Sequence, residues 1–466
     1  MKTSHLKGTG RFFQGKDGQS MAITRTPTQR RVIRGMLCTL AVIMAPVVAA
    51  AQSLIRDAEI EYALRELSRP IAVAAGLSPS QLNILVVNDS SLNAFVADHR
   101  TIFIHSGLLM KLDSGAQIQS VLAHEMAHIA NGHITRRVQN YQNSSRIAAI
   151  GTALSAAAAI GGGGSAAVGL AAGTSSAAQR AFFAHTRAEE SSADQAGVRY
   201  MARAGVDPHA MSEVLDIFRG QEALSASRQD PYVLTHPLSR DRIRALNGIA
   251  AAVTVQPKDT ADSDYWFSRA QGKLAAFLQN PSFTLRKIDK KDQSSVATMM
   301  RAVAYHRKPD TKEALKYVDR LVSMNPNDPY AHELRGQILL ESRNFGAAVN
   351  AYGRAVKLAP SEALILSGYG RVLLATESNN KAALSALERA RARDPYDPRM
   401  LRDLAVAYAR AGNNGMASVA TAERYAILGR LKDAAVHAKR ATGLLPRGSA
   451  GYLRAQDILA AAKNRS

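Results

Sequence analysis

Five consecutive residues, His124-Glu125-Met126-Ala127-His128, place two imidazoles one helical turn apart, with a carboxylate next to the first. On a helix, positions i and i+4 differ by about 40° in direction, so both rings can meet one ion. Glu125 then lies beside the ion rather than on it, where it can take a proton from water. The chemistry this implies is metal-assisted hydrolysis. A helix that merely carries surface histidines does not explain the apolar positions Ile118, Val121, Leu122 and Ile129, which mark a core element.

A catalytic zinc site takes three protein ligands and keeps the fourth position for water. His133 comes nine residues after His124. On a continuous helix it points well away from His128, so the spacing argues against it as the third ligand. Glu190 is the better candidate. In Glu190-Ser191-Ser192-Ala193-Asp194 the two acids share one helix face, so Glu190 can ligate the metal. Asp194 can accept the outer N–H of a zinc-bound histidine. In isolation the run would be a solvated acidic face; the upstream histidine helix changes that reading. Glu189 is better used in the helix cap.

The elements that must position these residues can be read locally. Ile84-Leu85-Val86-Val87 is a short apolar run between polar neighbours and predicts a strand. Thr101-Ile102-Phe103-Ile104 predicts a second. Ser114 and Gln117 form a capping box that starts the histidine helix. Thr186 and Glu189 form another, with Gly205 as the stop of the acidic helix, and Asp207-Pro208 caps a third. Between the first two helices, residues 147–179 carry no charge and are dominated by Ala and Gly. Such a segment is either a flexible surface loop or a hairpin that covers a site or touches lipid.

After a polar linker at 257–262 the pattern turns entirely helical. Prolines recur at Pro326, Pro360 and Pro395, and again at Pro446. Counting back from them puts small or aromatic residues where paired helices cross: Ala302 and Ala314; Gly336, Ala348, Tyr352 and Ala355; Gly370, Ala383 and Ala390; Tyr425, Gly429, Ala434 and Ala441. This is the period of a tetratricopeptide repeat, whose stacked helix pairs usually bind a partner or a polypeptide.

The chain has 466 residues, 46 % hydrophobic and 21 % charged, enough for two or three folded domains and incompatible with a disordered or fibrous protein. Its one cysteine, Cys38, excludes a disulfide scaffold and a cysteine-ligated zinc module. Residues 1–51 hold a basic stretch, the short apolar run 36–51 and an Ala-rich exit, the parts of a secretory signal peptide, with Met21 as an alternative start. The run is too short for a spanning helix and Pro46 interrupts it. Export to a bacterial periplasm is therefore expected. Net charge is +21, of which +14 remains beyond residue 51. That excess suits an anionic membrane surface; nucleic acid is disfavoured because the charge is spread and the leader exports the chain.

The histidine helix, the Glu-x-x-x-Asp helix and then Thr235-His236-Pro237 with Arg242-Ile243 resemble the gluzincins that include HtpX and the CAAX prenyl proteases. The resemblance, to the soluble branch with C-terminal repeats, spans nearly all of 52–466. It implies an α+β, mostly helical fold. A zinc metallopeptidase domain with a small sheet (52–255) is followed by an α-solenoid of tetratricopeptide repeats (256–466). It implies one zinc per chain on His124, His128 and Glu190, with Glu125 as base and Asp194 supporting a ligand. Arg100–Ile104 would be the edge strand on which an extended substrate adds. His236 would belong to the active site, either as an oxyanion donor or as a fourth ligand that holds the enzyme latent. The implied activity is endopeptidase cleavage of misfolded or stalled outer-membrane proteins. The repeats would recruit those clients or the assembly machinery. The rival is a repeat-based adaptor or chaperone in which proteolysis is rare or latent.

Overall fold

The computed structural model describes residues 54–136, 186–225, 228–255, 260–377 and 379–463. The expected leader at 1–51 and the Ala/Gly-rich insert at 147–179 lie outside the described residues. β1 (Leu54–Ile55) and helix α1 (Ala58–Ala74) lead into β2 (Asn83–Val87), which is the first expected strand. β3 (Ala94–Val96) and β4 (Thr101–His105) complete a sheet of order β1-β2-β4-β3. β2 and β4 are parallel, with Ile84 opposite Ile102 and Val86 opposite Ile104; β1 and β3 are antiparallel to their neighbours.

All five residues of β4 are buried, as a central strand requires. This corrects one expectation, because Arg100–Ile104 is not an edge strand. Asp98 accepts hydrogen bonds from the N–H groups of Arg100 and Thr101, each at 2.7 Å. That turn folds β3 back over β4. The edge on this side is β3, whose three residues are too few to show a strand pattern.

Among the described residues six α-helices follow: α2 (Ser106–Lys111), α3 (Gly115–Ala130), α4 (Arg187–Ala204), α5 (His209–Ile217), α6 (Pro231–Thr235) and α7 (Arg240–Ala251). At the start of α3 the Ser114 hydroxyl accepts from the Gln117 N–H at 3.2 Å. The Gln117 side chain reaches back to the N–H of Asp113 at 2.8 Å, one residue before the cap. The box at Thr186 and Glu189 is complete, and Gly205 ends α4 in the left-handed region at φ 76°. α3 packs along α4 and against α1 and β3. Between α3 and α4 the contact is made by Ala127, Ala193 and Ala196, at most 2 % exposed, so the helix axes come close. Gly197 belongs to the same seam: a Cβ there would stand 2.7 Å from the Met211 methyl.

The solenoid opens with α8 (Ala261–Leu278) and α9 (Pro281–Lys287), continues through α10 (Ser295–Arg307), α11 (Thr311–Met324), α12 (Pro329–Glu341), α13 (Phe345–Leu358), α14 (Ala363–Thr376), α15 (Asn380–Arg393), α16 (Pro398–Arg410), α17 (Asn414–Ile427) and α18 (Leu431–Leu444), and ends with α19 (Ala450–Lys463). Pro326, Pro360, Pro395 and Pro446 fall just past the ends of α11, α13, α15 and α18, where a missing N–H costs no helical bond. Gly336 stands where α12 meets α13, and a Cβ there would lie 2.6 Å from the Tyr352 ring. Gly429 has a different job from the one its spacing suggests: at φ 72° it makes the turn between α17 and α18.

Two cations on α8 join the solenoid to the N-terminal helix α1. Arg269 pairs with Glu59 and, at 2.8 Å, with Asp328. Lys273 Nζ lies 2.9 Å from Asp57 and 3.1 Å from Glu59. Both cations are fully buried, which is tolerable only because each is paired. Among the described residues no helix is long and apolar enough to cross a membrane.

Candidate metal centre

His124, Glu125 and His128 face inward from α3, Glu190 and Asp194 from α4, and His236 from the residue after α6; all six are at most 3 % exposed. The small-residue seam between α3 and α4 brings the first five together. His124 Nε2 lies 3.1 Å from His128 Nε2, 3.3 Å from His236 Nδ1 and 3.4 Å from Glu190 Oε2. Glu190 Oε1 lies 3.3 Å from His128 Nε2 and 3.1 Å from His236 Nδ1. A tetrahedral zinc with bonds of about 2.05 Å has ligand–ligand edges of about 3.3 Å. The distances above are close to that edge, one donor atom from each of His124, His128, Glu190 and His236 lies within 4.8 Å of the others, and a set of three nitrogens and one oxygen suits zinc.

Each ring is oriented by a partner on its outer nitrogen. His124 Nδ1 is 3.0 Å from Asp194 Oδ1. His128 Nδ1 is 2.8 Å from His133 Nδ1. His236 Nε2 is 3.1 Å from the carbonyl oxygen of Ala94 on β3. An N–H placed on each outer nitrogen leaves all three inner lone pairs facing one point, the tautomer a metal needs. His133 reaches this place because α3 is not continuous to it. The helix stops at Ala130, and Gly132 at φ 66° turns the chain back. It lies outside the group of candidate donor atoms and meets His128 on its outer nitrogen.

Glu125 is arranged differently. Neither of its carboxylate oxygens has a hydrogen-bond partner among the described residues, and His236 Nε2 stands 3.5 Å from Oε1. Burial pushes its pKa up, with the imidazoles of His236 and His124 opposing. A buried carboxylate with unused acceptors beside a metal site is suited to proton exchange.

Arg242 on α7 ties the acids together. It donates to both oxygens of Asp194, at 2.7 and 2.9 Å, and its Nη1 lies 2.6 Å from Glu190 Oε2. Burial disfavours ionised Asp194, yet the Arg242 charge, followed by His124, holds its pKa at about 2. Glu190 is likewise held well below the usual carboxylate range against burial, by His236 and Arg242.

The segment that carries His236 lies along the sheet edge. Tyr232 N–H donates to the carbonyl of Leu92, and Thr235 donates to the Asn93 side chain at 3.2 Å. With His236 on Ala94, this segment occupies polar groups of β3 and the residues just before it. Tyr232 stacks on Phe218 and meets the His236 ring at a tilt of 32°, with centroids 4.6 Å apart in both pairs.

Residues 56–250 match peptidase family M48, and residues 333–382 match a tetratricopeptide repeat. Over 387 residues the chain is 26 % identical to the beta-barrel assembly-enhancing protease of Escherichia coli K12, covering 82 % of this chain and 78 % of that one. The beta-barrel assembly-enhancing protease of Yersinia pestis is 25 % identical over 391 residues, 83 % of this chain and 79 % of that protein. A solved tetratricopeptide-repeat protein of Thermus thermophilus aligns with 36 % of this chain and 100 % of its own at 18 % identity and a TM-score of 0.25.

Proposed function

We propose, from the match of residues 56–250 to peptidase family M48, a zinc-dependent endopeptidase of the bacterial periplasm that hydrolyses misfolded or stalled outer-membrane β-barrel proteins. The observation that supports it most is the convergence of His124, His128 and Glu190 at tetrahedral-edge distances beside the hydrogen-bond-free carboxylate of Glu125. Those three residues would hold one zinc per chain, which would supply Lewis-acid polarisation of a carbonyl and a lowered pKa for water. Glu125 Oε1 or Oε2 takes the proton of the attacking water and returns it to the leaving amine. Asp194 and His133 keep the rings of His124 and His128 turned inward, and Arg242 keeps Glu190 and Asp194 ionised.

His236 is the fourth member of the set, and its ring and Tyr232 sit on the edge β3 where an extended substrate adds as a further strand. We read the described state as latent. With zinc bound, His236 would take the position that catalysis leaves to water, and its segment would have to withdraw from β3 before a substrate pairs there. Such restraint suits a peptidase working among unfolded export clients. The repeats recruit those clients or the assembly machinery, and the basic surface favours the anionic membrane nearby.

Metal analysis of the purified protein tests the assignment. Wild type should hold about one zinc per chain, while His124→Ala, His128→Ala and Glu190→Gln should each lose most of it. Full zinc in Glu190→Gln would overturn the ligand set. An adaptor working through its repeats alone would keep its cellular function after Glu125→Gln.

A further inference from the structure

β2 has a neighbour along its whole length on one side only. There β4 pairs with all five of its residues, whereas on the other side β1 ends at Ile55, opposite Val86. The Asn83 N–H donates to the Arg100 carbonyl, on the β4 side, at 2.7 Å. Successive residues of a strand turn their N–H and C=O groups to opposite sides, so those of Ile84, like those of Val86, face the β1 side. Continuing the β1 register would set Asp57 opposite Ile84, but Asp57 caps α1. Neither Arg56 nor Asp57 makes a backbone hydrogen bond to Ile84 among the described residues. The sheet therefore has an open stretch of edge at Ile84, two strands away from β3 and the candidate metal centre.

An open strand edge invites another strand. This one faces a cavity of about 500 Å³, whose other walls are α1 and the loops that precede α14 and α16. The charge that lines it is unequal. Arg56, Arg65, Arg69 and Arg393 stand against three acids, Glu61, Glu362 and Asp394. All three acids are taken: Arg56 holds Glu61 at 2.6 Å and Asp394 at 2.5 Å, and Arg65 holds Glu362 at 2.5 Å. Arg69 pairs with Glu66 on its own helix, and its side chain is 60 % exposed. Arg393 is exposed, donates to the Arg389 carbonyl at 3.4 Å, and forms no ion pair among the described residues.

We propose that the open edge of β2 is a docking site for an extended acidic segment of another protein, which adds as a strand beside Ile84 and places a carboxylate on Arg393. The backbone groups of Ile84 supply the pairing, and the unmatched guanidinium supplies the selection. The site lies at the opposite side of the sheet from β3, so a segment seated in it is held and not cut. The charge of +14 beyond residue 51 draws acidic segments towards it. None of this depends on the activity proposed above.

The test is peptide binding by the full-length Glu125→Gln chain, chosen so that no ligand is cut. Labelled unstructured peptides, identical except for a central glutamate or glutamine, are compared by fluorescence anisotropy. The glutamate peptide should bind about tenfold more tightly, as one charge-assisted contact implies. Arg393→Glu, at an exposed position that the fold does not need, should abolish that preference. N-methylation of consecutive central residues of the glutamate peptide should abolish its binding, because it removes the N–H groups a strand must donate. Hydrogen exchange of the Ile84 amide should slow about tenfold when the unmethylated glutamate peptide is added. Binding that ignores glutamate, survives N-methylation or leaves the Ile84 amide unprotected would place the peptide elsewhere on the chain and overturn the proposal, as would a preference that survives Arg393→Glu or an absence of binding.

Discussion

His133 Nδ1 stands 2.8 Å from His128 Nδ1, across a turn made by Asn131 and Gly132. Only one of the two nitrogens can carry the proton, and a His128 that ligates through Nε2 must be the donor. His133→Ala removes the acceptor that orients this ring. Zinc affinity should fall about 10- to 100-fold while saturating zinc still restores one ion per chain. Competition with a chelator measures this, and an unchanged affinity would return His133 to plain packing.

Arg242 neutralises two buried carboxylates at once. Arg242→Met removes the guanidinium that both Glu190 and Asp194 face, which should cost about 3–5 kcal/mol in urea unfolding. Arg242→Lys should lose less, since it keeps the charge but not the fork that spans both acids. A loss below about 1 kcal/mol in Arg242→Met would show that the bridge is unimportant.

The two roles open to His236 give opposite signs. Removal of a latent fourth ligand by His236→Ala should raise turnover of an unfolded substrate, with zinc retained on the other three residues. Removal of an oxyanion donor should instead lower turnover by about a hundredfold. Steady-state hydrolysis together with zinc content decides between them.

Much of this arrangement is legible along the chain because it is local. His124, Glu125 and His128 share one turn of one helix, and Glu190 with Asp194 one turn of another, so spacing alone places each group on a face. The repeat period survives because small residues are required wherever helices cross. What spacing does not reveal is contact across the fold. Arg242 stands on a short polar helix, and nothing in its neighbours marks it as the partner of acids 48 and 52 residues earlier. β3 is too short to show a period. The chain reversal before His133 depends on one glycine at positive φ, which a helical projection carries straight through.

Glu333 gives a pH-dependent stability with a defined sign. Burial holds its proton to about pH 7 in the folded chain, whereas the unfolded chain releases it near 4.5. Between those values the folded state binds more protons, so stability falls as pH rises. Glu333→Gln removes this loss. Its unfolding free energy in urea should match wild type near pH 4.5 and exceed it at pH 8, by about 3 kcal/mol. A variant less stable than wild type at pH 8 would contradict the account.

The most direct measurement is the turnover of Glu125→Gln on an unfolded β-barrel protein, with zinc content determined on the same sample. The substitution removes proton transfer and leaves His124, His128 and Glu190 in place. The account predicts about one zinc per chain and hydrolysis reduced about 10²- to 10⁴-fold. Undiminished hydrolysis with zinc retained would contradict it.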